Sequence, residues 1–177
     1  VFDGGLDNFG WNDIGVFAMN TLFVMLTLPL SFLFERLFGF VTDMSLLELS
    51  NTNSPLLRKL SSEAPGTFQH VMQVAGLCEE ALFAIGGNML LARTGAMYHD
   101  VGKIKNPFFF TENQHGKYNL HDEMSYYESS QIIINHVADG IEICRKYHVP
   151  EQIIDFVRTH HGTRRTEYFY QMELKEN

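Results

Sequence analysis

Six side chains that can bind transition metals lie at four widely separated places between residues 70 and 161. They are His70, His99, Asp100, His136, His160 and His161. Imidazole nitrogens and carboxylate oxygens suit cations such as iron, manganese and zinc, and a carboxylate such as that of Asp100 can bridge two of them. If these residues lie on separate packed helices, they form an internal metal site. His115, His121 and His148 are interpreted instead as structural or surface residues.

The segments that carry these residues have helical patterns. Four helices are predicted, over 67–85, 88–104, 125–147 and 150–162, with Thr67, Asn88, Ser125 and Pro150 at their starts. The four predicted helices carry, in order, His70, the pair His99-Asp100, His136 and the pair His160-His161. The sequence therefore predicts an all-α bundle with a long polar loop over 106–124.

The first part of the chain has a different composition. Residues 1–53 hold six acids and one base, whereas residues 54–177 hold 15 acids, 12 bases and all eight histidines. A charge-free run of 21 residues extends from Ile14 to Phe34, long enough as a helix to cross a bilayer. We expect a transmembrane helix whose polar residues are covered by neighbouring helices. A buried core helix and an interfacial amphipathic helix are the alternatives.

An amphipathic helix is predicted to follow the run and to stop at the polar residues before Pro55. The predicted units are therefore 1–53, the span and its linker, and 54–177, the histidine-rich domain. Arg36, Arg58 and Lys59 favour a cytoplasmic location for the C-terminal side.

Composition excludes other classes of protein. The formal charge is −8 over 177 residues, so no strongly basic face is available for duplex DNA or RNA. Two cysteines are too few for a disulfide scaffold.

The sequence His99-Asp100-Val101-Gly102-Lys103 resembles the signature of the HD-domain metal phosphohydrolases. The resemblance extends through LLELSNTNSPLLRKL, EAPGTFQHVMQVA, GAMYHDVGKIKNPFFFTENQ, INHVADG and THHGT, which look like the PgpH-type cyclic-di-AMP phosphodiesterases. That family implies a membrane-anchored enzyme whose last transmembrane helix leads into a cytoplasmic HD domain. The run at 14–34 would then be the final span of a longer protein, and a homodimer is compatible with this interpretation.

The resemblance also implies a division of the metal ligands. One cation would be held by Asp100, His136, His160 and His161, and the other by His70, His99, Asp100 and a further Asp beyond the THHGT motif. Glu167, Glu173 and Glu176 do not match the motif of that further Asp. We therefore expect the second of these cations to bind more weakly in this chain.

These ligands predict a mechanism for phosphodiester hydrolysis. Two divalent transition-metal ions, iron or manganese, bridged by Asp100 would convert a shared water to hydroxide. The hydroxide would attack phosphorus in line while Lys103 neutralises the phosphate oxygens. Asp139 is a candidate to hold an imidazole, with a solvated surface acid as the alternative. No residue is assigned as the acid that protonates the leaving oxygen.

Substrate contacts are predicted from the loop and from the end of the fourth helix. Glu112, Asn113 and Gln114 could reach the base or ribose, Phe108–Phe110 or Tyr118 could stack on a base, and Arg164 could attract the dianion. Ordinary packing is the alternative for the aromatic residues.

The expected substrate is cyclic-di-AMP and the expected product is linear pApA. A cyclic-di-GMP phosphodiesterase and an alarmone hydrolase are the enzymatic alternatives. The cyclic-di-GMP alternative lacks support, because the HHE and GYP elements of the cyclic-di-GMP phosphodiesterases are missing here. A nucleotide sensor without catalysis is the third alternative.

Overall fold

The computed structural model describes residues 10–114, 116 and 118–176, and in this part of the chain every regular element is helical. The predicted all-α class is therefore confirmed. The α-helices are α1 (Trp11–Phe38), α2 (Asp43–Leu49), α3 (Pro55–Glu63), α4 (Pro65–Ile85), α5 (Met89–Tyr98), α6 (Tyr126–Lys146), α7 (Glu151–Thr159) and α8 (Glu167–Glu176). Short 3-10 helices lie between α5 and α6, at Val101–Lys105, Pro107–Phe109, Thr111–Asn113 and Leu120–Glu123.

The chain divides into two compact units after Phe40, and the first unit consists mainly of α1. This helix has 28 residues, is apolar and long enough to cross a membrane, and buries none of them. Its hydroxyl groups bond to its own backbone: Thr21 donates to the Phe17 carbonyl, Thr27 to Phe23 and Ser31 to Thr27. These hydroxyls therefore need no neighbouring helix to satisfy them, in contrast to the expectation from the sequence.

The second unit begins at Val41, earlier than the predicted boundary after residue 53. The reason is α2, which packs on α5. Leu46 of α2 is buried, the Thr94 hydroxyl donates to the Leu46 carbonyl at 3.4 Å, and the Tyr98 hydroxyl donates to the Leu49 carbonyl at 2.9 Å. The single amphipathic helix predicted here is also interrupted, since α1 ends at Phe38 and α2 starts after Thr42.

One hydrophobic core joins the helices of the second unit. It contains Leu46 of α2, three leucines of α3, and residues of α4, α5, α6 and α7, among them Leu56, Leu57, Leu60, Val71, Ala75, Met97, Val101, Cys144, Ile153, Ile154 and Val157. Burial of this apolar surface supplies the main stabilisation of the bundle.

Gly102 lets the 3-10 helix after α5 press against the backbone of α6. A Cβ atom at this position would lie 1.8 Å from the His136 carbonyl oxygen and 2.6 Å from the Gly140 nitrogen. Only a residue without a side chain fits there. The close approach fixes the position of Asp100, two residues earlier, relative to His136.

Most of the predicted helix limits are confirmed, including the end of α4 at Ile85 before Gly86. Asn88 caps α5, Ser125 and Glu128 form the predicted capping box of α6, and α7 starts after Pro150. Thr67 is not a cap, because α4 begins at Pro65 and Thr67 is buried in its first turn. The helix predicted over 88–104 stops at Tyr98 and continues only as 3-10 helix, and α8 was not predicted.

Candidate metal centre

Asp100 follows the end of α5, and its side chain is only 4% exposed. Its two carboxylate oxygens face different histidines. Oδ1 lies 3.4 Å from Nε2 of His136 and 3.5 Å from Nε2 of His160. Oδ2 lies 3.3 Å from Nε2 of His99 and 3.8 Å from Nε2 of His70. A carboxylate with ring nitrogens at both oxygens is arranged to bridge two cations.

The donors form two sets that share Asp100. The inner group consists of Asp100, His136, His160 and His161, and the outer group consists of His70, His99 and Asp100. Within each group the donor atoms lie within 4.8 Å of one another. The structure thus brings together all six residues that the sequence singled out as ligands, from α4, α5 and its C-terminal turn, α6 and the end of α7.

Three of the histidine rings are held by the backbone carbonyl three residues earlier. Nδ1 lies 2.6 Å from this oxygen in the His99–Ala96 pair and 2.8 Å in the His160–Val157 pair, and His136 makes the same contact to Ile133. A carbonyl only accepts, so Nδ1 donates to it and Nε2 is the ring nitrogen that faces Asp100. Backbone contacts of this kind orient metal-binding imidazoles. These contacts are not predicted from the sequence above, although a histidine on a helix always has a backbone carbonyl three residues earlier.

Asp139 does not hold an imidazole. Its Oδ1 accepts a hydrogen bond from Nζ of Lys105 at 2.8 Å, and Lys105 also contacts Glu142 at 2.8 Å. The alternative of a surface acid is therefore the better description of Asp139. His121 bonds to the Phe109 carbonyl at 2.9 Å, in keeping with a structural role, and His115 lies outside the described residues.

Asp100 is negatively charged at neutral pH. Burial alone would raise its pKa, but hydrogen bonds from His136, His160 and His99 outweigh burial and hold the pKa far below its usual range. His161 has a pKa lowered to about 4, because of burial and the neighbouring His160 and His136. An ionised carboxylate surrounded by imidazole nitrogens is a donor set that suits divalent transition-metal cations.

Lys103 connects Asp100 to the loop over 106–124. Its Nζ lies 2.7 Å from Oδ2 of Asp100 and 2.7 Å from Oε1 of Glu112, and 4.9 Å from the centre of the Phe110 ring. Burial would lower the pKa of Lys103, but the two carboxylates raise it, so the ammonium stays charged. It places a positive charge at the outer-group side of Asp100.

Glu112 and Asn113 are anchored to α4 through Thr67. The Thr67 hydroxyl donates to Oε1 of Glu112 at 3.0 Å, Nδ2 of Asn113 donates to that hydroxyl at 2.8 Å, and the Thr67 amide donates to Oδ1 of Asn113 at 3.1 Å. Asn113 is 2% exposed, so the predicted substrate contact of its side chain is wrong. Its amide positions the loop instead. The same close contact requires Gly66, where a Cβ would lie 1.8 Å from the Glu112 carbonyl oxygen.

The remaining predicted substrate residues have different surroundings. Gln114 donates from Nε2 to the Phe108 carbonyl at 3.0 Å and to Asn119 at 3.2 Å, within its own loop. Phe110 is buried and packs edge-on against His136 with ring centres 5.6 Å apart, as the packing alternative predicts, whereas Phe108 and Tyr118 are exposed.

Two cavities adjoin the histidines. One has a volume of about 490 Å³ and is lined by His161, Arg164, Phe169 and the apolar residues of α6. The other has a volume of about 370 Å³ and lies between α4, α5 and α7, beside His99 and His160. Arg164 therefore shares a cavity with His161 of the inner group.

Known proteins share this domain. The HD domain family matches residues 67–177. The cyclic-di-AMP phosphodiesterase PgpH of Bacillus subtilis (strain 168) is 50% identical over 137 residues, which make up 77% of this chain and 19% of that protein. PgpH of Listeria monocytogenes serotype 1/2a (strain 10403S) is 47% identical over 138 residues, 78% of this chain and 19% of that protein.

The structural comparison gives the same family. The crystal structure of the L. monocytogenes PgpH HD domain in complex with cyclic-di-AMP is similar with a TM-score of 0.69 and 45% identity, covering 72% of this chain and 59% of that one. The chain spans about a fifth of the length of the two curated relatives. The resemblance found in the sequence is confirmed, and with more than half of its residues matched, the chain belongs to the HD domain family.

Proposed function

We propose that this chain carries the catalytic site of a metal-dependent phosphodiesterase that hydrolyses cyclic-di-AMP to linear pApA. The observation that carries the proposal is the buried Asp100 carboxylate, with His136 and His160 at one oxygen and His99 and His70 at the other. The likeness to cyclic-di-AMP phosphodiesterases supports the choice of substrate.

The donors fit two divalent transition-metal ions, with iron or manganese as the proposed metals. Imidazole and carboxylate ligands suit these borderline cations, and neither group includes a cysteine among the described donors. The inner group would provide four ligands and the outer group three. Bound cations would supply Lewis acidity for acidifying water and neutralising phosphate.

The protein's own residues prepare this chemistry. Asp100 remains anionic, and the carbonyls of Ala96, Ile133 and Val157 keep Nε2 of the three histidines available. The Lys103 ammonium, held by Asp100 and Glu112, is placed to pair with a phosphate oxygen that enters the outer-group side.

The nucleotide would occupy the space beside these groups. Arg164 lines the cavity next to His161 and would attract the second phosphate. Glu112 and Gln114 would contact the nucleotide from the loop. Glu112 would then exchange its contact with Lys103 for one with the ribose or base.

The proposal includes a membrane anchor formed by α1. An apolar α1 of 28 residues whose hydroxyls bond to its own backbone supports a transmembrane helix, and Arg36 in its last turn supports a cytoplasmic location for the second unit. A homodimer belongs to the same proposal and is tested by the mass of the protein in detergent.

Substrate turnover tests the proposed function. The purified chain, loaded with Mn²⁺ or Fe²⁺, should convert cyclic-di-AMP to pApA, with cyclic-di-GMP and an alarmone cleaved more slowly. The Asp100→Asn variant is the matched control and should be inactive. Equal rates for the two cyclic dinucleotides would overturn the adenine assignment. Tight nucleotide binding without turnover in the metal-loaded protein would favour the sensor.

A further inference from the structure

A stretch without charged residues forms the tip of the α4–α5 hairpin. It runs from Ala81 to Ala92 with the sequence ALFAIGGNMLLA. The end of α4, the connecting Gly86-Gly87-Asn88 and the start of α5 all belong to it. Nothing in the proposed chemistry uses this segment.

The tip exposes large apolar side chains. Phe83 and Ile85 are each 77% exposed, and Met89 is exposed as well. The fully buried residues of α4 are Thr67, Val71 and Ala75, all in its first half. The last turns of α4 therefore extend beyond the core of the second unit, and an exposed apolar patch of this kind marks an interaction surface.

Polar groups at the tip are satisfied locally. The amides of Gly86 and Gly87 donate to the Leu82 carbonyl at 2.9 and 3.0 Å, and Oδ1 of Asn88 accepts from the Leu91 amide at 2.9 Å. At the base of the tip, Arg93 pairs with Glu79 at 2.6 Å. Segments that lie at a membrane interface have the same order of groups: apolar side chains and satisfied polar groups at the lipid side, and charged side chains next to them at the headgroup side.

The tip lies at the same end of the second unit as its connection to α1. Leu46 and Leu49 of α2 are bonded to Thr94 and Tyr98 of α5, so the two helices run in the same direction. The start of α2 is therefore level with the start of α5, where the tip is. Residues 39–42 join α1 to α2, and a linker of this length spans at most about 17 Å.

We infer that the α4–α5 tip lies in the lipid interface on the side where α1 leaves the membrane. The inference rests on the proposed transmembrane α1, because this short connection keeps the start of α2, and with it the tip, near the bilayer surface. Phe83, Ile85 and Met89 would enter the boundary between headgroups and acyl chains, to a depth of about 5–10 Å. The membrane would then hold the domain at a second point in addition to its covalent connection.

Tryptophan fluorescence in nanodiscs tests this contact. Trp11 is the single tryptophan of the sequence, so three variants are made in a Trp11→Phe background. Phe83→Trp reports on the tip and Phe23→Trp on α1. Tyr168→Trp, an exposed position on α8, whose main packing is against α6, is the matched control. Each is measured in phosphatidylcholine nanodiscs with ordinary and with brominated acyl chains.

The expected result is quenching by brominated chains for Phe83→Trp and Phe23→Trp, with Tyr168→Trp unaffected. Quenching of Phe23→Trp alone would overturn the inference and leave the transmembrane helix standing. Absence of quenching for Phe23→Trp would overturn both. A blue shift of Phe83→Trp that depends on protein concentration and not on brominated lipid would also overturn it, because a second copy would then cover the tip.

Discussion

The inner and outer groups share Asp100 but are built differently around it. The side chain of His136, at the centre of the inner group, is 2% exposed, whereas that of His70, in the outer group, is 45% exposed. His136 is enclosed by packed helices, although His161 of the same group is exposed, whereas His70 of the outer group faces solvent. One carboxylate thus joins a buried histidine of the core, His136, to a solvent-exposed histidine, His70.

The difference arises from the positions of the donors on their helices. His136 lies opposite Gly102, where α6 and the turn after α5 come closest, and its ring is held by the Ile133 carbonyl. His70 lies on the exposed side of α4, and the described residues include no such carbonyl contact for its ring. Packing therefore organises the inner group before any cation binds, which lowers the cost of binding there.

Substitution of the shared Asp100 carboxylate should abolish metal binding at both groups. We expect Asp100→Ala to lose both cations and to lower the hydrolysis rate by at least about 1000-fold, roughly 4 kcal/mol of transition-state stabilisation. Metal analysis and turnover of the purified protein check this, and circular dichroism should remain helical. Asp139→Ala is the control and should keep its metal. An unchanged metal content in Asp100→Ala would contradict a bridging role.

Removal of one histidine from each group compares them directly. His136→Ala should weaken metal binding and activity by at least about 100-fold, the upper end of what loss of a supporting contact costs, while His70→Ala should cost clearly less. The physical reason is that His136 is a buried ligand held by packing, and His70 is an exposed one. Metal titration of both variants measures the difference. A larger loss in His70→Ala would reverse the comparison.

A side chain at Gly102 should push the turn after α5 away from α6. We expect this to destabilise the fold and, as a consequence, to disturb the inner group. A Cβ in Gly102→Ala would lie 1.8 Å from the His136 carbonyl oxygen, and we expect a loss of about 3 kcal/mol in the free energy of unfolding. Urea denaturation measures this loss. Gly76→Ala on α4 is the matched control, because no atom lies within 4 Å of its Cβ position. It should be neutral or stabilising by up to about 1 kcal/mol. Equal stabilities of the two variants would refute the close contact.

Stepwise removal of metal should distinguish the groups without any substitution. The outer group offers three donors and the inner group four, so a chelator should remove the outer cation first. We expect affinities that differ by at least about tenfold, or ~1.4 kcal/mol. Calorimetric titration of the metal-free protein checks this. Two sites of equal affinity would mean that another group completes the outer site.

Loss of the loop anchor should have a modest effect. Thr67→Val keeps the shape of the side chain but removes the hydroxyl that bonds to Glu112 and Asn113, and we expect a cost of about 1–2 kcal/mol in stability. The outer group should be affected more than the inner group, because Glu112 contacts Lys103 there. Thermal unfolding and metal titration measure the two effects. Ser61→Ala, which removes a hydroxyl bonded to the local Arg58 carbonyl, is the control.

Much of this molecule could be predicted from local patterns. The caps at Asn88 and Ser125, the start of α7 after Pro150 and the apolar α1 depend on residues that are neighbours in the sequence. Local hydrogen bonds and helical periodicity act over a few residues, so the sequence displays them directly. The six candidate ligands were found in the same way, from residue type and from the HDVGK motif.

Tertiary structure decided three other features. They are the histidines that each Asp100 oxygen faces, the burial of Asn113 and the packing of α2 on α5. Each depends on atoms far apart in the chain, such as the Asn113 amide and Thr67, or the Leu46 carbonyl and Thr94. The sequence by itself determined which donors exist and which helices carry them. Only the packed core decided which oxygen each histidine faces, because that orientation is set by close contacts between helices, such as Gly102 against α6.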